Sequence, residues 1–158
     1  MTRHISTAGK RFLVVVFATG WMAASATAGS IPEGALELIG SDLSAWRDDA
    51  GEWFIAEDVV IAPDDPKRFE TIPGTGVAVN GPTGRTRHLV TNEEFGDVRA
   101  HIEFTVPHGS NSGAYFQGRY EIQVLDSWGV AEPQHSDCGG IYQRWDDNRD
   151  PKGFEGVP

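Results

Sequence analysis

An all-β sandwich is the fold class this sequence predicts, and three observations predict it. Helical periodicity is nearly absent across the 158 residues. Nineteen glycines and nine prolines break the chain into short runs, the punctuation of strands joined by turns. The run from Val98 to Val106 sets Val98, Ala100, Ile102, Phe104 and Val106 on one face and Arg99, His101, Glu103 and Thr105 on the other. Period two over that length is the pattern of a half-buried antiparallel strand. Strand-turn-strand order throughout points to two packed antiparallel sheets.

The N-terminus stands apart from this pattern. Arg3, Lys10 and Arg11 accompany an apolar stretch, Phe12 to Ala26, that closes on the small-x-small triplet Ala26-Thr27-Ala28. Residues 1–28 therefore read as a secretory signal peptide rather than a membrane span, because the run is short and ends in small residues. Residues 29–158 are expected to form one mature domain in a periplasmic or extracellular compartment. Removing three basic residues and no acidic one takes the formal net charge from −10 to −13. Charge of that sign repels nucleic acid and anionic lipid, and is compatible with a neutral partner such as a carbohydrate. Cys138 is the single cysteine, so an exported chain closes no internal disulfide and its stability rests on its core. Beside Gly139 and Gly140, Cys138 reads as a small buried side chain.

Taken in order, Leu36 to Ile39 reads as a first strand, with Gly40-Ser41-Asp42 as its turn and Leu43 and Trp46 plugging the end of the sandwich. Trp53 to Ile55 and Val59 to Ile61 flank Glu57-Asp58 and read as a hairpin. Pro63 to Pro82 is rich in proline and glycine and reads as a long loop around a short Val77 to Val79 segment, long enough to suspect a place at a site rim. Arg87 to Thr91 and Gly139 to Tyr142 read as further short strands. From Gln143 onward the chain is charged and turn-rich.

The chemistry concentrates between Asn111 and Asp126, NSGAYFQGRYEIQVLD. The stretch opens on a turn-like Asn-Ser-Gly, breaks at Gly118-Arg119, and continues as a strand from Tyr120 to Leu125. Alternation puts Tyr120, Ile122 and Val124 on a buried face and Glu121 with Gln123 on the other, about 7 Å apart. A solvent-facing strand explains that pair without any function. The polar and aromatic company of Asn111, Tyr115, Gln117 and Asp126 favours a polar groove instead. His135, in the loop after Asp126, lies nearer this groove than His88, His101 or His108 do, and His101 reads as solvent-facing. Tyr115, Trp128 and Tyr142 are candidates to stack on sugar rings, although packing explains each equally well.

The segments LIGSDLSAW, HLVT before FGDVRAHIEF, NSGAYF, YEIQVLD and GGIY, in this order, resemble the 3-keto-disaccharide hydrolase family over most of the mature chain. The resemblance implies a concanavalin A-like jelly roll of two antiparallel sheets with a groove on its concave face. It also implies work on oxidised sugars outside the cytoplasm. Family members continue through several more strands, so this chain is expected to be a jelly roll truncated at its C-terminus, with open edges.

Glu121, Gln123 and Asp126 follow the i, i+2, i+5 spacing of retaining β-glucanases of that fold, with Gln in the middle. Two carboxyl groups about 5 to 5.5 Å apart are needed for double displacement, whereas residues five apart on a straight strand span about 16 Å. Only a bend brings Asp126 to the groove. A 3-keto-glycoside asks for less. The ketone acidifies the C2 proton, a base removes it, the C1 substituent leaves, and water adds to the resulting enone. On the resemblance, Glu121 is the expected base. Asp126 or His135 is the expected acid, and Asn111, Tyr115, Gln117, Gln123 and Tyr142 are expected to bind substrate, with Gln123 or Asn111 at the enolate oxygen. A divalent cation is a candidate cofactor without an assigned ligand set; Asp137, Asp146, Asp147 and Asp150 match no calcium loop and read as turn residues. A non-catalytic carbohydrate-binding module of the same fold is the alternative function.

Overall fold

The structure, a computed structural model, describes residues 11–15, 34–143, 145–148 and 151–154. Among them the chain is all-β, with strands and turns and no helix. The strands are β1 (Arg11–Val15), β2 (Ala35–Glu37), β3 (Phe54–Ala62), β4 (Asp65–Val79), β5 (Val98–Ile102), β6 (Asn111–Phe116), β7 (Tyr120–Leu125), β8 (Trp145–Asp146) and β9 (Gly153–Phe154). The expected leader cleavage site, Ala26-Thr27-Ala28, and the Asp150 carboxylate lie outside the described residues.

The chain divides into two compact units, one of residues up to Val60 with Glu70–Thr105, the other of Ile61–Phe69 with Val106 onward. In the first, Leu38, Ile39 and Ala78 are the buried centre, packed by Leu36, Leu43, Ala45, Trp46, Trp53, Ile55, Leu89, Phe95 and Ile102. Burying a side chain such as Ile39, fully shielded here, is worth about 1.5–3 kcal/mol. Leu43 and Trp46 therefore do close this core, and the Trp46 indole N–H also donates to Leu38 O at 2.7 Å. Trp53 does the same to Arg87 O at 2.7 Å. At the intervening turn, the Ser44 hydroxyl and then its backbone N–H hold the Asp42 carboxyl below its ordinary range.

Four expectations need correction here. Glu57-Asp58 is not a turn, since β3 runs through it unbroken, and the partner of β3 is β4. The Pro63–Pro82 stretch is mostly the 15-residue strand β4 rather than a loop. Its link to β3 is only Pro63 and Asp64, which makes the pair an antiparallel hairpin. Gly74 lets the two strands close, because a Cβ there would sit 2.5 Å from the Cβ of Glu57. Arg87 to Thr91 forms no strand, only a bridge from Thr91 to Trp46 with flanking backbone bonds. The alternation of Val98 to Val106 survives in burial, but β5 ends at Ile102 and its partner is parallel. That partner is β1, which lies between β2 and β5 and runs parallel to both.

The second unit is built on the β6–β7 hairpin. Asn111-Ser112-Gly113, expected as a turn, is the start of β6, paired in register with Leu125, Val124 and Gln123. The reversal comes at Phe116–Arg119, closed by Arg119 N–H to Phe116 O at 3.0 Å. Its two central residues, Gln117 and Gly118, have φ of 55° and 61°, the mirror-image geometry that suits the twist of a hairpin. Gly139 to Tyr142, expected as a short strand, forms none; it lies against β7 through a single antiparallel bridge from Ile141 to Ile122. Gln123 N–H to Gly140 O and Tyr142 N–H to Glu121 O, both 2.9 Å, flank that bridge.

Candidate active site

The register of this three-segment face brings the expected site residues together in rows. Asn111, Gly113 and Tyr115 on β6 share a face with Leu125, Gln123 and Glu121 on β7, because alternate residues of a strand point the same way. The Ile122–Ile141 bridge sets Tyr142 opposite Glu121 and Gly140 opposite Gln123. One row is therefore Tyr115–Glu121–Tyr142 and the next is Gly113–Gln123–Gly140. A half-buried carboxylate lies between two phenols, beside a row with two glycines.

Within the first row, the Tyr115 hydroxyl donates to Glu121 Oε2 at 2.6 Å. That hydrogen bond first, then loss of solvent and the charges of Glu121 and Tyr142, pushes the Tyr115 phenol up to about 12. Tyr115 is nonetheless 55% exposed, so the pair faces solvent and any substrate directly. His135 joins the cluster edge-on to Tyr142, with ring centroids 6.0 Å apart. Its segment is held close by Gly140, where a Cβ would sit 2.5 Å from His135 O. Glu121 leans over Gly113, where an added Cβ would meet its Cγ and Cδ at 2.8 Å.

The other expected residues take different positions. Asp126 turns its carboxylate to Gly109 N–H at 2.8 Å, with His108 at 3.9 Å. It fastens the entry to β6, and no bend of β7 carries it to Glu121. Gln117 occupies the left-handed turn, so its demonstrable role is conformational. Asn111 stays exposed at the far end of the Glu121 face. Gln123 departs most from expectation: it is 3% exposed rather than lining an open groove. Its Nε2 donates to Ser136 O at 3.2 Å, and its Oε1 is buried with no hydrogen-bond partner. With its amide donor engaged there, it is poorly suited to hold an enolate oxygen. Conversely Tyr120, expected to be buried, is 55% exposed beside the turn.

Cys138 is exposed rather than buried, its backbone N–H donating to Ser127 Oγ at 3.0 Å. His101 is exposed, as predicted, and reaches Glu103 at 2.9 Å. Asp137 and Asp146 accept from nearby backbone N–H groups and Asp147 pairs with Lys152. Among the described residues no group of three or more His, Cys, Asp or Glu is placed to hold a metal ion. In the first unit a hollow of about 380 Å³ is lined by Arg47, Asp49, Arg87, His88 and Val90. Its Asp49 and Arg87 form an exposed ion pair.

These features define an all-β protein with an acid–base face carried on one hairpin. Residues 34–155 match the sequence model of the 3-keto-alpha-glucoside-1,2-lyase-like domain, and the chain belongs to that family. The resemblance carried by YEIQVLD and its companion segments is thereby borne out. No curated protein and no solved structure matches the chain.

Proposed function

We propose that this protein is an exported lyase or hydrolase of 3-keto-glycosides, working by elimination at C1–C2 and then hydration. The single observation that carries the reading is the Tyr115–Glu121 pair on the open hairpin face of a 3-keto-alpha-glucoside-1,2-lyase-like domain. A ketone at C3 makes the C2 proton removable by a carboxylate. Expulsion of the C1 oxygen then gives an enone conjugated through the ring oxygen. Glu121 is the base, with Oε1 reaching over the bare backbone of Gly113. Tyr142 and His135 flank the base on its other side, and Asn111, at the far end of the same face, is the polar group available to a substrate oxygen. The basic and apolar start of the chain supports export. No helix among the described residues is long and apolar enough to cross a membrane, which leaves β-barrels unaddressed.

A carbohydrate-binding module is the second reading, favoured by Trp128, which is 98% exposed on the loop after β7. An indole presented in that way suits stacking on a sugar ring. One experiment separates the two. A 3-keto-glucoside and its parent glucoside are incubated with wild-type protein and with Glu121→Gln. Release of sugar from the keto substrate alone, reduced about 10²- to 10⁴-fold by the substitution, supports the lyase. Binding of either compound without turnover supports the module.

A further inference from the structure

We propose that Tyr115 is the general acid of this site, handing its phenolic proton to the departing C1 oxygen and recovering it from Glu121. The proposal rests on the elimination reading above and assigns the acid to a residue that sequence reasoning had placed among the substrate contacts. Three observations carry it. Of the two residues first expected as acids, Asp126 is turned to Gly109 N–H, and the ring contact of His135 is edge-on with Tyr142. Tyr115 sits directly across the strand pair from the base, and its hydroxyl is bonded to Glu121 Oε2 at 2.6 Å. The phenol is also exposed enough to reach a ligand lying on the hairpin face.

The two carboxylate oxygens divide the work. Oε1, over Gly113, takes the C2 proton, and the electrons of the broken C–H bond form the C1–C2 double bond as the C1–O bond breaks. A protonated Glu121 is a weaker acceptor, so the Tyr115 hydroxyl is freed to rotate toward the leaving oxygen and give up its proton. The alcohol departs neutral. The phenolate then takes the proton from Glu121 once the carboxyl turns about Cγ–Cδ, which restores both groups. Hydration runs through the same atoms in reverse, with water in place of the alcohol. In the resting site the phenol, whose ordinary value of 10.0 already lies above the neutral range and is raised further by the bond to Glu121, carries its proton, so the acid is loaded before substrate arrives.

The test compares Tyr115→Phe with wild type on two 3-keto-glucosides, one carrying 4-nitrophenol and one a second sugar. 4-Nitrophenolate leaves without a proton, whereas a sugar hydroxyl needs one. Loss of the acid predicts a fall of about 10² to 10⁴ in kcat on the sugar substrate and less than about 10-fold on the nitrophenyl substrate. Circular dichroism of the variant guards against misfolding, and the ring is retained in any case. Equal loss on both substrates overturns the proposal and makes Tyr115 a positioning residue for Glu121. Unchanged turnover of both overturns it outright. Wild-type protein inert toward both substrates defeats the elimination reading itself, and the proposal with it.

Discussion

Gly113→Ala isolates the geometry of the base. Gly113 lies within β6 at an ordinary strand conformation, so alanine meets no backbone strain there. The new Cβ would stand 2.8 Å from both Cγ and Cδ of Glu121, and closer still to Oε1. Ordinary van der Waals contact begins near 3.4 Å, so the carboxylate must withdraw by at least about 0.6 Å, and further at Oε1. A 2.6 Å hydrogen bond to Tyr115 does not survive such a shift unchanged. Misplacing a reacting group by about 1 Å costs on the order of 10² in rate. Stability should move little: alanine in place of a strand glycine gains about 0.5–1 kcal/mol, and an exposed charge-assisted hydrogen bond returns a similar amount when lost. The assay pairs turnover of a 3-keto-glucoside with urea unfolding and a tyrosine absorbance titration. The expected result is about 100-fold slower turnover, an unfolding free energy within about 1 kcal/mol of wild type, and a Tyr115 titration moved down from about 12. Wild-type turnover accompanied by the lowered titration would refute the claim that the Tyr115–Glu121 contact matters to the chemistry.

Three further outcomes follow from the same face. Asp126→Ala should cost about 1 kcal/mol in urea unfolding through the lost bond to Gly109 N–H, while turnover persists; lost turnover with intact stability would restore Asp126 as a catalytic group. Gln123→Glu puts a carboxylate in a 3% exposed position against Ser136 O and should cost the several kcal/mol of stability typical of an unpaired buried charge, seen as a sharply lower melting temperature, whereas an unchanged melting temperature would mean the position opens to water. Finally, the Tyr115 phenol is raised from 10.0 to about 12 in the folded protein, so the unfolded chain gives up this proton first. Its contribution to stability is therefore whole below pH 10 and lost as pH climbs to about 12. Tyr115→Phe should flatten that part of the alkaline unfolding curve, and identical curves would contradict the hydrogen bond.

Much of the fold and part of the site could be read before any coordinates, for reasons that differ by residue. Tyr120 to Leu125 declares itself through alternation, and once the three residues Gln117, Gly118 and Arg119 are taken as the reversal, the register pairs Phe116 with Tyr120 and brings Tyr115 opposite Glu121. Burial along the same strand is a different matter. Gln123 is enclosed because Gly113 and Gly140 flank it and the Ser136 segment folds over it, none of which leaves a trace in local polarity. Tyr120 is exposed because it stands next to the turn, where alternation has no neighbours to act through. Sequence alone makes β4 a loop because Pro66, Pro73, Gly74 and Gly76 are breakers in isolation. They are tolerated where a hairpin partner fixes the backbone, with proline suited to an unpaired edge. The site signal that sequence could have offered earlier is the pair Gly113 and Gly140, each two residues before a tyrosine that faces Glu121.

The position of β1 gives leader removal, if it occurs, a consequence for the sheet. Its five residues stand between two parallel neighbours, matched to three residues of β2 and to all five of β5. Cleavage after Ala28 deletes that strand and leaves the backbones of Ala35–Glu37 and Val98–Ile102 facing one another across a gap one strand wide, about 10 Å. Precursor and processed protein would then differ in architecture as well as in length. The processed form would carry a vacant slot lined by unpaired amide and carbonyl groups, which invites a replacement strand by backbone complementarity.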